Sequence, residues 1–562
     1  MRKILIILFV NAIFSLGFTQ TPPDQTQKLA TLGKVWGFLK YYHPKVAKGK
    51  YDWDAELVKK VTQIESAKTK EEINKIYLDW INSLGKVRKR NCENNIPDSL
   101  KYNLDIGWLN DTPTFNKDLI AKLNFIKENR GKHHYYIRRF TASPTFKKEK
   151  PYKDSIYPGE AFRLLSLYRY WNIINYFYPY KYVIGQNWNN VLTEMIPQFQ
   201  HAKDTIAYNL AMLELTTKIN DSHAFFYTKY TAKYFGVKYP PFQYKIIDNK
   251  PIVTGLYNDT LAKRNDIQYG DVIVKLNGRD ISDVIKERLT FTGASNEPAK
   301  LRNLSSYLFS SNVDSVNIDF ERNRKLNNKF IRCYKFREFH YDWTKNTEPV
   351  CKELDNNIGY VNMGVLNRKQ VDSVMKIMIN KKAIIFDIRN YPKGTMFAIS
   401  KYLNKNAKPF VKFTTQDLKY PGVVKWEGLY YCGSKGKMFS WLPTYKQSSK
   451  KDTVCYNGKV VLLFNEITQS HAEFTCMALQ TAPDVKCIGS QTAGADGNVS
   501  LITFPGGYQT YMTGLGVYYP NGKETQRVGI VPDIEVHPTI EGIKNHKDEV
   551  LDRALEYVYT GK

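Results

Sequence analysis

The stretch Lys459-Val-Val-Leu-Leu-Phe-Asn-Glu-Ile-Thr-Gln-Ser-His-Ala-Glu473 decides the fold class. An apolar run from Lys459 to Phe464 enters a turn at 465–470, and a helical pattern continues from His471 to Gln480. The same grammar appears earlier. Gly359-Tyr-Val-Asn-Met363 opens the region, and a helical stretch from Lys369 to Asn380 leads into the strand Ala383-Ile-Ile-Phe-Asp387. The turn Arg389-Asn-Tyr-Pro-Lys-Gly394 follows. Apolar strands without alternation are buried on both faces, so these units predict an α/β region with a largely parallel sheet. Sites in such sheets lie beyond the carboxyl ends of the strands, where both turns fall. Ser470 sits in the second turn, at a helix N-terminus whose unpaired amides and dipole would stabilise a developing oxyanion. The same pattern also suits a plain helix cap, with Glu473 completing a capping box. The local residues leave both readings open.

Upstream, from about Tyr239 to Arg337, short β-like runs alternate with turns. Ile267-Gln-Tyr-Gly-Asp-Val-Ile-Val-Lys-Leu-Asn-Gly278 turns tightly at Gly270-Asp271 and ends in an Asn-Gly hairpin turn; a helical stretch runs from Ser282 to Leu289. The segment resembles a PDZ domain, matching its Gly-Asp-x-Ile-x-x-x-Asn-Gly core. That resemblance implies capture of an extended peptide at a sheet edge, with the region of Gly270 and Asp271 as the expected substrate-binding part.

At the front, two segments align 135 residues apart: Trp36-Gly-Phe-Leu-Lys-Tyr-Tyr-His-Pro44 and Trp171-Asn-Ile-Ile-Asn-Tyr-Phe-Tyr-Pro179, with Trp53 matching Trp188 and Leu84 matching Ile219. Both have helical periodicity, a Pro break and further helical stretches, so they read as a duplicated helical module with an aromatic core. Only the second copy ends in Ile219-Asn-Asp-Ser-His-Ala-Phe-Phe226; the first ends Leu84-Gly-Lys-Val-Arg88. The first copy is therefore expected to carry no chemistry. Residues 88–157 are charged and irregular, and read as a connector.

The first 20 residues have the pattern of a secretory signal: Arg2 and Lys3, an apolar stretch from Ile4 to Phe14, then small and polar residues. The expected location is outside the cytosol, periplasmic or extracellular, with no integral membrane segment after signal removal. Seven cysteines (Cys92, Cys333, Cys351, Cys432, Cys455, Cys476, Cys487) are odd in number, and their pairing is not fixed by spacing. No Cys-x-x-Cys or His-Glu-x-x-His pattern occurs, so no metal or other cofactor is expected. Over 562 residues the net charge is +28, but basic residues are spread along the chain and no zinc-finger, basic-helix or RNA-binding signature accompanies them. Nucleic acid is not an expected partner; a basic surface facing anionic envelope material fits better. A polysaccharide-acting enzyme lacks its carboxylate pair in these motifs.

Five motifs stand in one order: Asp221-Ser-His223, the PDZ-like module, Asp387-x-Arg-x-x-Pro-x-Gly394, Thr468-x-Ser-x-Ala-Glu473 and Gly529-Ile-Val-Pro-Asp533. Over residues 160–562 this resembles the tail-specific, or C-terminal-processing, serine peptidase family, including its tricorn-like branch. The resemblance implies a crotonase-like (ClpP/crotonase) α/β core with a helical cap and an inserted PDZ-like domain. The implied divisions are a signal at 1–20, a first helical module and connector at 21–155, and a helical cap at 156–236 ending in Ser222-His223. The PDZ-like domain spans 237–340 and the peptidase core 341–562.

The family's Ser–Lys scheme needs a lysine in the turn Thr492-Ala-Gly-Ala-Asp-Gly497, but Ala495 stands there. The tricorn-like scheme remains, and the resemblance gives its roles. Ser470 is the nucleophile and His223 the general base, a role its ordinary pKa suits. Ser222 would orient the imidazole. Glu524 would support that network, and Gln526, where the branch carries an acid, would do so by hydrogen bonding alone. The backbone N–H groups of His471 and Gly394 would form the oxyanion hole. Asp387 with Arg389, and Asp533, are expected to be structural. The function implied is an exported serine endopeptidase acting on peptides or protein C-terminal regions, with a polypeptide substrate as partner and homo-oligomer formation open. The alternative is a catalytically inactive peptide-binding envelope scaffold on the same fold.

Overall fold

The computed structural model describes residues 24–90, 95–140, 143–341, 348–433 and 455–562. The segment read as a signal and Cys92 lie outside the described residues. Cys333, Cys351, Cys432, Cys476 and Cys487 are free thiols.

The duplication is visible as two helical triplets. α1 (Gln25–Tyr42), α2 (Trp53–Ser66) and α3 (Lys70–Ser83) form the first copy, and α4 (Lys117–Glu128) lies in the connector. α5 (Glu160–Phe177), α6 (Trp188–Gln200) and α7 (Thr205–Thr217) form the second. Each copy closes with a reciprocal latch. The Trp36 indole N–H donates to the Trp53 carbonyl, and that of Trp53 to the Trp36 carbonyl, both at 3.0 Å. Trp171 and Trp188 repeat the exchange at 2.7 and 3.0 Å. Each exchange ties the body of the first helix of a triplet to the first residue of the second, across the break between them. α1 and α5 then approach so closely that a Cβ on Gly37 would lie 1.8 Å from Asn172 Oδ1. Asn172 Nδ2 donates to the Gly33 carbonyl at 3.0 Å across the same contact.

The connector is more than a tether. Glu149 is buried in it, accepts a hydrogen bond from Lys40 Nζ at 2.8 Å and forms an ion pair with Arg169 at 3.0 Å; Arg169 also pairs with Asp54 at 2.9 Å. One carboxylate thus ties both copies together. Its sequence hides this, because a buried charge is tolerated only through partners that lie far off in the chain.

The β-rich module is an antiparallel sheet of β1 (Phe242–Ile247), β2 (Lys250–Leu256), β3 (Val272–Leu276), β4 (Ser315–Arg322) and β5 (Lys325–Arg332), in that order. α8 (Ile281–Leu289) and α9 (Glu297–Leu304) accompany it. Asn277 and Gly278 have φ of +51° and +77°, the backbone that the hairpin after β3 requires.

The C-terminal sheet runs β6 (Cys351–Leu354), β7 (Ile358–Asn362), β8 (Ala383–Asp387), β9 (Lys459–Phe464), β10 (Val485–Gly489) and β11 (Ile534–Glu535). All neighbours are parallel except β6 with β7. Ile384, Phe386, Leu462 and Phe464 face α10 (Val371–Met378), α11 (Met396–Leu403) and α12 (His471–Leu479). Ala383, Ile385, Val461 and Leu463 face α13 (Glu549–Thr560) on the other side. Burial on both faces is why these strands read as unbroken apolar runs. The molecule is a mixed α/β protein; no helix among the described residues is long and apolar enough to cross a membrane.

Candidate active site

The turn after β9 delivers Ser470 to the N-terminus of α12 with φ of +57°, a left-handed conformation that costs a side-chain-bearing residue energy. Surrounding hydrogen bonds hold it there. The Ser470 N–H is shared between the Ala495 carbonyl at 3.1 Å and the Glu473 carboxylate at 3.0 Å. Glu473 is fully buried and also accepts from Thr492 Oγ1 and the N–H groups of Gly494 and Ala495, at 2.6–3.0 Å. Burial still raises its pKa against those donors. The capping residue expected at Glu473 is thus present, but it pins the whole turn to the loop at 492–495. Ala495 is buried there.

His223 arrives from the end of the second helical copy. Asp221, 1% exposed, organises it. Asp221 Oδ1 accepts the His223 backbone N–H at 3.0 Å and the Thr513 hydroxyl at 2.9 Å, while Oδ2 accepts the Thr513 N–H at 2.6 Å. Thr513 Oγ1 lies 2.8 Å from His223 Nδ1. A carboxylate cannot donate, so the Thr513 proton points to Asp221 and its lone pair must receive the proton on Nδ1. This assigns the tautomer with Nδ1 protonated and Nε2 carrying a lone pair, the form a general base needs. Burial lowers the His223 pKa from its ordinary value, Asp221 opposes that shift and Arg302 adds to it.

The two catalytic candidates meet through their neighbours. Gln469 Nε2 donates to the Ser222 carbonyl at 3.4 Å, so the residue before Ser470 touches the residue before His223. No hydrogen bond joins Ser470 to His223 among the described residues.

The other expected residues are placed differently. The Ser222 hydroxyl donates to the Ala493 carbonyl at 3.1 Å and accepts the Ser295 N–H at 2.9 Å, so it is committed away from the imidazole. Glu524 accepts the Tyr182 hydroxyl at 2.7 Å and has no bond to the ring among the described residues. Gln526 is buried and reaches Ser295, the partner of Ser222, at 3.5 Å, and Tyr178 at 3.3 Å. It joins the network one residue removed from the histidine. The groups that do hold His223 are Asp221 and Thr513. Asp221 was given no role from the sequence, although an aspartate two residues before a histidine can close an Asx turn on it. Thr513, 290 positions away, left no such signal.

The His471 backbone N–H, at the first turn of α12, makes no hydrogen bond among the described residues, and it points where the helix dipole is positive. Gly394, φ +69°, lies on the other side; a Cβ there would come within 4.0 Å of His471 Nε2. Neither amide has a hydrogen-bond partner among the described residues. Asp387 is bound by Arg389, which also grips Asp548, and Asp533 accepts the Cys487 N–H. In the β-rich module, Asp271 is buried and held in a two-point pair by Arg322 at 2.7 Å, while Gly270 packs on Lys544. The Asp271 side chain expected at a peptide-binding turn is thus taken up within the module.

Residues 357–536 match the model of peptidase family S41, and residues 237–330 match that of a PDZ domain. No curated protein matches the chain. Among solved structures, mature CPAF complexed with lactacystin is similar at 13% identity and a TM-score of 0.54, covering 72% of this chain and 99% of that one. A putative peptidase from Parabacteroides merdae aligns at 12% identity and 0.43, over 72% and 98%. The photosystem II D1 C-terminal processing protease aligns at 14% and 0.38, over 68% and 96%. The likeness to CPAF is one of fold.

Proposed function

We propose, from the premise that residues 357–536 form a peptidase family S41 domain, that this protein is an exported serine endopeptidase with a Ser470–His223 mechanism. His223 Nε2 takes the Ser470 proton as Oγ bonds to the scissile carbonyl carbon. The carbonyl π pair moves to oxygen, where the His471 and Gly394 amides meet the charge. Nε2–H then passes to the leaving nitrogen, the C–N bond breaks, and water repeats the sequence on the acyl-enzyme. Asp221 acts through Thr513, keeping the proton on Nδ1 and the lone pair on Nε2. The observation that carries this reading is that chain of 2.9 and 2.8 Å contacts ending at His223.

A fluorophosphonate probe tests it. Wild-type labelling should vanish in Ser470→Ala and weaken in His223→Ala. Absent labelling of wild type, or undiminished labelling of Ser470→Ala, would leave the peptide-binding scaffold as the better account. Export is tested separately, by comparing the N-terminal sequence of the secreted and precursor forms.

A further inference from the structure

A cavity of about 610 Å³ is lined in part by Ser222 and Gln469, the residues that precede His223 and Ser470 in the chain. Its walls are aromatic. Phe225 and Tyr227 lie two and four residues after His223, stack at 6.3 Å and 14°, and remain 65% and 61% exposed. Opposite them, Phe235 packs on Phe291 at 5.7 Å and on Tyr307 at 4.8 Å. Large rings held together in water at a cavity mouth are the mark of a binding surface rather than of a core. The volume falls in the range of sites that enclose a small ligand, enough for one bulky side chain and part of its backbone.

One wall carries charge. Arg302, on α9, donates to the Glu466 carbonyl at 2.7 Å, to Asn303 Oδ1 and to Gln469 Oε1 at 2.7 Å. Its partners are all neutral, and no carboxylate lies within ion-pairing distance among the described residues. A lysine or arginine side chain entering the cavity would meet this guanidinium at close range and low dielectric. An aromatic ring would meet apolar walls, with the cation available to a ring face.

We propose that this cavity is the specificity pocket for substrate, receiving a bulky aromatic side chain of the polypeptide next to the scissile bond and excluding basic ones. The proposal rests on the peptidase reading for the position of that bond, and it gives the site a substrate class. It also makes the β-rich module a builder of the pocket, since Phe291, Arg302 and Tyr307 all belong to it.

The test uses the full chain carrying Ser470→Ala, so that binding is read without turnover. Fluorescent peptides differing only at the central residue are titrated by anisotropy. The phenylalanine peptide should bind at least about tenfold more tightly than its alanine counterpart, as burial of a ring implies. The lysine peptide should bind more weakly than the alanine one. Adding Phe225→Ala and Tyr227→Ala, two exposed positions whose loss should leave the melting temperature unchanged, should bring the phenylalanine and alanine peptides within about twofold. Equal affinities for the three peptides, or a phenylalanine preference that survives the double substitution, would overturn the pocket. Because the probe experiment above reads Ser470 and this one reads binding, either proposal can fail while the other stands.

Discussion

At His223 two influences oppose each other. Burial disfavours the imidazolium, with Arg302 adding to that, and Asp221 favours it; burial prevails and the pKa falls below 6.5. A general base must be neutral, so kcat/KM should rise with pH on an acid limb whose midpoint lies below 6.5 and level off towards neutrality. Asp221→Asn removes the influence that raises the pKa and also frees the Thr513 hydroxyl. The limb should move to still lower pH while the plateau drops by about 10²–10⁴-fold. Thr513→Val should share the loss and Thr513→Ser recover most of it. A midpoint above 6.5 would mean that Asp221 outweighs burial, and an Asp221→Asn profile that overlays wild type would remove the relay from the mechanism. Sequence could nominate Ser470 and His223 because each sits at a junction with its own signature. It misassigned the hydroxyl of Ser222, since which neighbour a short side chain bonds is settled by packing. Ser295, its actual partner, belongs to another module.

Among the elements, the helical triplets were the most legible, because tryptophan and tyrosine at matching spacing mark both copies. Their reciprocal latches were not, since sequence cannot tell which carbonyl an indole meets. The parallel sheet was readable for a simple reason: strands buried on both faces cannot hide their composition. The tie made by the connector at 88–157 was not legible, because its key residue is a lone glutamate. Glu149→Ala would leave Lys40 and Arg169 buried beside a single remaining carboxylate, Asp54. The expected cost is about 3–5 kcal/mol of unfolding free energy, measured by urea denaturation. A loss below about 1 kcal/mol would mean that water replaces the missing carboxylate.

For the molecule as a whole, the modules meet at the turn that carries Ser470. Three residues of the β-rich module hold it: Ser295 exchanges hydrogen bonds with Ser222, Asn296 donates to the Thr492 and Arg527 carbonyls, and Arg302 grips the turn before Ser470. The linear order of domains was legible, whereas this convergence was not, because the contacts span 73 to 231 positions. Asn296→Ala should therefore raise amide exchange at 490–495 and 527–530 while leaving β8 and β9 protected, as seen by hydrogen-exchange mass spectrometry. Unchanged exchange in both loops would show that the module only sits alongside.

The left-handed backbone at Ser470 carries a thermodynamic corollary. Glycine adopts φ near +57° without penalty, whereas alanine suffers it as serine does. Of two catalytically dead variants, Ser470→Gly should therefore melt above Ser470→Ala, by about 1 kcal/mol. The interval between the two midpoints would measure, in degrees, the stability this chain forgoes to hold its reactive oxygen in place.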